Sequence, residues 1–210
     1  MQLLDISKAF AQEAGQIDAS FLASDQCLYV TSYSVPYAPH DDGCVVSLWD
    51  AWSRFVRALV LASAAGQTIG AGGSVYVPAV QLNEPQVLLH VRQARIRVTQ
   101  GEPKWFDPLT LSQIANSLAI PNESVIVAAI GSSSVNLGAS LSTGNPIGEI
   151  RTLRNFIAHK TDPNLLAAQG YMVGAVRDVH AHLWEKTIGG VERFSLWANV
   201  LVAISEAACL

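Results

Sequence analysis

The spacing of the apolar residues constrains this chain more than any other feature. Between 44 and 65, Val45, Trp49, Trp52, Phe55, Val56, Leu59 and Val60 recur at intervals of three and four. That spacing lines one face of an α-helix. Asp50, Arg54 and Arg57 form the opposite stripe, with Asp50 and Arg54 at i,i+4. The same rhythm runs through 5–23 (Ile6, Phe10, Ala14, Ile17, Phe21) and through 190–208 (Phe194, Trp197, Ala198, Leu201, Val202). Helices striped in this way bury their apolar faces only against one another. The expected fold is therefore all-α: one helical bundle over 1–210, with an additional N-terminal helix at 1–24 and long loops.

The segments between are read by their breakers. Residues 25–43 hold two prolines and many turn formers, so a loop is expected there, with the second helix beginning at 44. Gly66, Gly70, Gly72 and Gly73 end that helix; they lack the Gly-Lys-Ser/Thr of a phosphate loop and follow a helix instead of a strand. Residues 66–108 read as an irregular insertion. Within it Val75-Tyr76-Val77 suits a short strand, and Pro85–Arg97 suits a helix, although Val91–Val98 also alternates like a strand. Helices are expected at 109–118, at about 123–130 with Asn122 and Ser124 placed to cap it, at 147–159 after Pro146, at 163–185 and at 190–208. Residues 132–144 are a Ser/Gly-rich connection.

Composition narrows the function classes. The chain is 50% hydrophobic and 14% charged, so a core is easily built, and so little charge suits a surface partly covered by another subunit. The net charge of −4 means that any nucleic-acid contact comes from a local basic patch. The amino terminus carries Asp5 and no long apolar stretch, which speaks against a secretory signal. The longest apolar runs fall short of the ~18 residues of a membrane helix. Cys27, Cys44 and Cys209 have no metal-ligand spacing and read as reduced thiols of a cytoplasmic protein.

The chemistry-bearing segment is GEIRTLRNFIAHK, residues 148–160. Residues of a helix turn by about 100° each. With Arg151 at the origin, Asn155 lies near ~40°, His159 near ~80° and Arg154 near ~300°. Phe156, Leu153, Ile157 and Ile150 fall between ~140° and ~260°, an arc expected to face a core. The other arc carries two arginines, an asparagine and a histidine, the groups that RNA scission needs. Histidine moves protons near neutrality. An arginine fork holds a phosphate and its developing charge. Asparagine orients either. No carboxylate cluster is present to hold a metal, and no cofactor is implied. The structural alternative is that Arg154 forms an ion pair and His159 is a helix C-terminal histidine favoured by the macrodipole.

Arg154-Asn155-Phe156-Ile157-Ala158-His159 resembles the signature of the HEPN superfamily (higher eukaryotes and prokaryotes nucleotide-binding): Arg, a polar residue, three further residues, then His, on a late helix of a bundle. The hydrophobic run-in from Ile147 to Leu153 and the trailing Lys160 look similar too. The resemblance implies a metal-independent endoribonuclease, often a toxin or defence effector, whose site forms where two such helices meet in a homodimer or a HEPN-type heterodimer. Arg154 and His159 would be the catalytic pair and Asn155 the polar accessory. Arg151 and Lys160 are not signature positions; the angular map offers them as phosphate contacts. One branch of the superfamily carries a tyrosine soon after the histidine, modified by an antitoxin partner; here Lys-Thr-Asp-Pro follows, which puts such a partner in doubt.

Three other features compete. Arg92, Arg95, Arg97 and Lys104 with Trp105 read either as an RNA-backbone contact with a stacking aromatic or as a solvated segment with a buried Trp. His180 and His182 would point about 200° apart on a helix, with no third metal ligand evident. The tryptophans read as core or interface residues. Two other functions stay open: a silent HEPN binding or dimerisation module, and an unrelated helical adaptor.

Overall fold

A computed structural model of the chain describes residues 1–24, 39–94, 96, 98–99, 102–105, 107–131, 146–171, 179–187 and 189–210. The fold is all-α, with nine helices and two short antiparallel hairpins among the described residues. The helices are α1 (Leu3–Ala23), α2 (Pro39–Ala65), α3 (Glu84–Gln93), α4 (Pro108–Ser117), α5 (Glu123–Gly131), α6 (Pro146–His159), α7 (Asp162–Gln169), α8 (Val179–Trp184) and α9 (Arg193–Ala207). Strands β1 (Thr68–Ile69) and β2 (Val75–Tyr76) pair with Thr68 opposite Tyr76; β3 (Val98–Thr99) and β4 (Glu102–Pro103) pair with Val98 opposite Pro103. No described helix is long and apolar enough to cross a membrane.

The chain forms two compact units: 1–11, 52–132 and 202–210 in the first, and 12–51 and 133–201 in the second. Helices α1, α2 and α9 are continuous and contribute one end to each.

The first unit is centred on an aromatic cluster. Phe10 of α1 packs on Trp52 and Phe55 of α2 at 5.6 and 5.2 Å between ring centroids. Val87 and Val91 of α3, Leu111 and Ile114 of α4, and Ile126 and Ile130 of α5 are buried. Residues 66–108, read from the sequence as irregular, hold the β1–β2 hairpin, α3 and the β3–β4 hairpin. Local capping decides for helix at 84–93: Asn83 Oδ1 accepts from the Gln86 amide (3.1 Å), Gln86 Oε1 accepts from the Asn83 amide (2.8 Å), and Pro85 occupies the first turn. Asp107 caps α4 through the Thr110 amide at 3.0 Å. Asn122 does not cap α5 with its side chain; its Nδ2 donates to Ser63 Oγ in the interior at 3.1 Å. Gly70 is required by close approach: a Cβ there would stand 2.0 Å from the carbonyl oxygen of Leu210, beside the bond from the Ala71 amide to Cys209 O.

In the second unit, Phe21 of α1 lies between Trp184 of α8 (4.3 Å) and Phe194 of α9 (4.4 Å). Helix α2 begins at Pro39, five residues before the expected start. Proline suits a first turn, and Asp41 and Asp42 sit where the helix dipole favours negative charge. The rest of the expected loop, 25–38, lies outside the described residues. The single helix expected over 163–185 is at least two: α7 stops at Gln169 with Gly170 as its cap, and α8 starts at Val179.

Candidate functional site

Helix α6 spans Pro146–His159, so the residues of the polar arc share one helix as expected. Arg151 and His159 are exposed, Arg154 and Asn155 are half-buried, and Lys160 is exposed just beyond the helix. Arg154 Nε is itself buried and has no hydrogen-bond partner among the described residues. Lys160 ends the helix in the left-handed region (φ 45°), its amide donating to Phe156 O at 2.7 Å. A side chain there costs roughly 1–3 kcal/mol of strain. The reversal sends the chain straight into α7, which packs on α6, and Asn164 Nδ2 donates to the Asn155 carbonyl at 3.4 Å.

Burial of the apolar arc is uneven. Pro146, Ile147, Glu149, Ile150 and Leu153 are buried, whereas Phe156 and Ile157 are half-buried. Burial therefore fades along the helix toward His159 as well as around it, which an angular map cannot show. Leu153→Ala is accordingly expected to cost about 2–5 kcal/mol, and Ile157→Ala roughly half of that, since part of its side chain already meets water. Urea unfolding of the two variants measures the difference.

Glu149 is a buried carboxylate on the same helix. It falls near ~160° on the helix, inside the apolar arc, and that anomaly was its signal. Its Oε2 accepts from Trp197 Nε1 of α9 at 3.1 Å. Burial holds its carboxyl above the usual range, against the opposing pull of Arg193 and the Trp197 bond. Asp41, placed by the sequence in a loop, is buried and fully engaged: Ser24 Oγ donates to it at 3.0 Å, Trp184 Nε1 at 2.9 Å, and His180 Nδ1 pairs with it. His180 and His182 thus diverge, one onto Asp41 and the other into the interior against Trp197.

In the first unit Trp105 is buried, which removes the stacking reading of the basic stretch; Arg95 and Arg97 lie outside the described residues. Cys44 and Cys209 are free thiols, pushed up to about 11 and about 12 chiefly by burial. Neither is an activated nucleophile at neutral pH.

Together these features define an all-α protein with a cationic, histidine-bearing helix face. No protein-family model, curated protein or solved structure matches the chain.

Proposed function

We propose that this chain is a HEPN-type, metal-independent endoribonuclease, acting in the cytoplasm as a toxin or defence effector. The observation that carries the reading is Arg154. Its buried Nε–H has no hydrogen-bond partner among the described residues, on a half-exposed side chain. A donor left unmade costs about 1–3 kcal/mol, and a phosphate oxygen would satisfy it with a charge-assisted bond. In this reading a 2′-hydroxyl attacks the adjacent phosphorus. His159 transfers the proton and Arg154 stabilises the phosphorane. Asn155 sets the geometry, and Arg151 and Lys160 hold neighbouring phosphates. Arg154 and His159 mark opposite edges of the polar arc, so a second copy, or a related chain, completes the site by presenting its own helix.

The test is incubation of the purified protein with a mixed RNA pool in excess EDTA. Products ending in 2′,3′-cyclic phosphate and 5′-hydroxyl are expected. Cleavage that requires added magnesium, or that leaves 3′-hydroxyl ends, removes the reading. Failure to cleave favours a silent binding or dimerisation module, with an antitoxin or another defence component as its partner. Leu166, 69% exposed on α7, and the half-buried Phe156 and Ile157 on α6 are the observations on its side.

A further inference from the structure

The second unit holds a buried ionisable cluster that RNA cleavage does not use. His182 of α8 is 1% exposed, and neither ring nitrogen has a hydrogen-bond partner among the described residues. Its ring lies 5.9 Å from that of Trp197 on α9. Trp197 in turn donates to Glu149 on α6, which is 8% exposed. Arg193 of α9 pairs with Glu185, just beyond α8, while its own Nε is buried with no hydrogen-bond partner among the described residues. Three helices thus meet through one histidine, one indole, two carboxylates and one guanidinium.

Neutral imidazole can occupy this place as a ring packed on a ring. Imidazolium fits poorly: it would be a buried cation with no hydrogen-bond acceptor among the described residues, bearing on the Arg193 cation, with the Glu185 carboxylate opposing. Burying an unpaired charge is strongly unfavourable, so a protonated ring is driven toward water.

We propose that His182 is an acid-release latch: on protonation its ring leaves Trp197, α8 detaches, and α6 loses the support that Trp197 gives it through Glu149. Burial first, then Arg193, lowers His182 to about 4, with Glu185 opposing. The unfolded chain binds that proton near ~6.5. Stability from neutral His182 is therefore full above that value and drains as pH falls toward 4. Glu149 runs the other way, since its raised carboxyl is relieved of charge on acidification. The latch itself concerns tertiary structure; only its effect on cleavage rests on the proposed function.

The experiment follows the His182 ring by NMR in the full chain between pH 7.5 and 4, assigned with His182→Gln. The expected result is no titration until below about pH 5. Between pH 7 and 4.5 the urea-unfolding equilibrium constant should rise on the order of 10²-fold more in wild type than in His182→Gln. Amide exchange in 146–159 and 179–184, corrected for intrinsic rate, should accelerate on acidification in wild type alone. Titration of His182 near 6.5, or parallel pH profiles in the two proteins, overturns the latch. Should His182→Gln fail to fold at pH 7, the wild-type ring titration decides by itself. The latch with no cleavage at any pH upholds this proposal and removes the RNA reading.

Discussion

Replacing His159 with alanine is expected to lower RNA cleavage by about 10²–10⁴-fold, the size of a general acid–base contribution. Arg154→Ala is expected to cost on the order of 10²–10³-fold, as when a donor to developing charge is removed. The two substitutions separate chemistry from folding. His159 is exposed at the end of α6, so its loss removes little packing. Arg154 is half-buried, and truncating it also removes a buried N–H without a partner among the described residues. Both variants should therefore unfold in urea close to wild type. Cleavage rates at equal folded concentration in EDTA measure the effect. Equal cleavage by His159→Ala and wild type would eliminate His159 as the proton-transfer group. Arg154→Lys adds a finer comparison: it keeps the charge but loses the planar fork, and should recover only part of the rate.

The largest expected effect on stability falls in the first unit, at Trp52. This side chain is fully buried, packed edge-on to Phe10 at 5.6 Å and tilted to Phe55 at 5.3 Å. Trp52→Ala leaves a cavity where an indole stood and should cost about 3–5 kcal/mol. That is a large share of the roughly 5–15 kcal/mol that holds a domain folded. Trp52→Phe should cost much less. It keeps an aromatic ring in the cluster and removes an indole N–H that has no acceptor among the described residues. An unmet buried donor is worth roughly 1–3 kcal/mol against the fold, which offsets part of the lost volume. Urea midpoints of the two variants test this. A Trp52→Phe protein as unstable as Trp52→Ala would show that the N–H is well served.

The long helices were legible because their information is local. Apolar residues three and four apart fall on one face whatever surrounds them, so α1, α2, α6 and α9 could be drawn from spacing alone. Errors gathered where long-range partners decide. His40, Asp41 and Asp42 read as loop because charged residues beside prolines usually are. Asp41 is instead the acceptor for His180 and Trp184, 139 and 143 residues away, and no window of sequence contains that pairing. The break after Gln169 was missed because the 163–185 segment keeps an apolar content that suits one helix or two. In 66–108 the alternation of Val91–Val98 competed with helical spacing, and reciprocal capping by Asn83 and Gln86 settled the matter.

The candidate site divides the same way. Sequence alone determined that Arg151, Arg154, Asn155 and His159 share one arc, since a helix places them there by rotation. Only the tertiary structure decided how deeply each side chain sits. It left Arg154 Nε buried and His159 exposed, half-buried Phe156 and Ile157, and set Glu149 and His182 against Trp197. The reason is physical: the direction in which a side chain leaves a helix follows from its own backbone, whereas its burial and its hydrogen-bond partners belong to whatever packs against it.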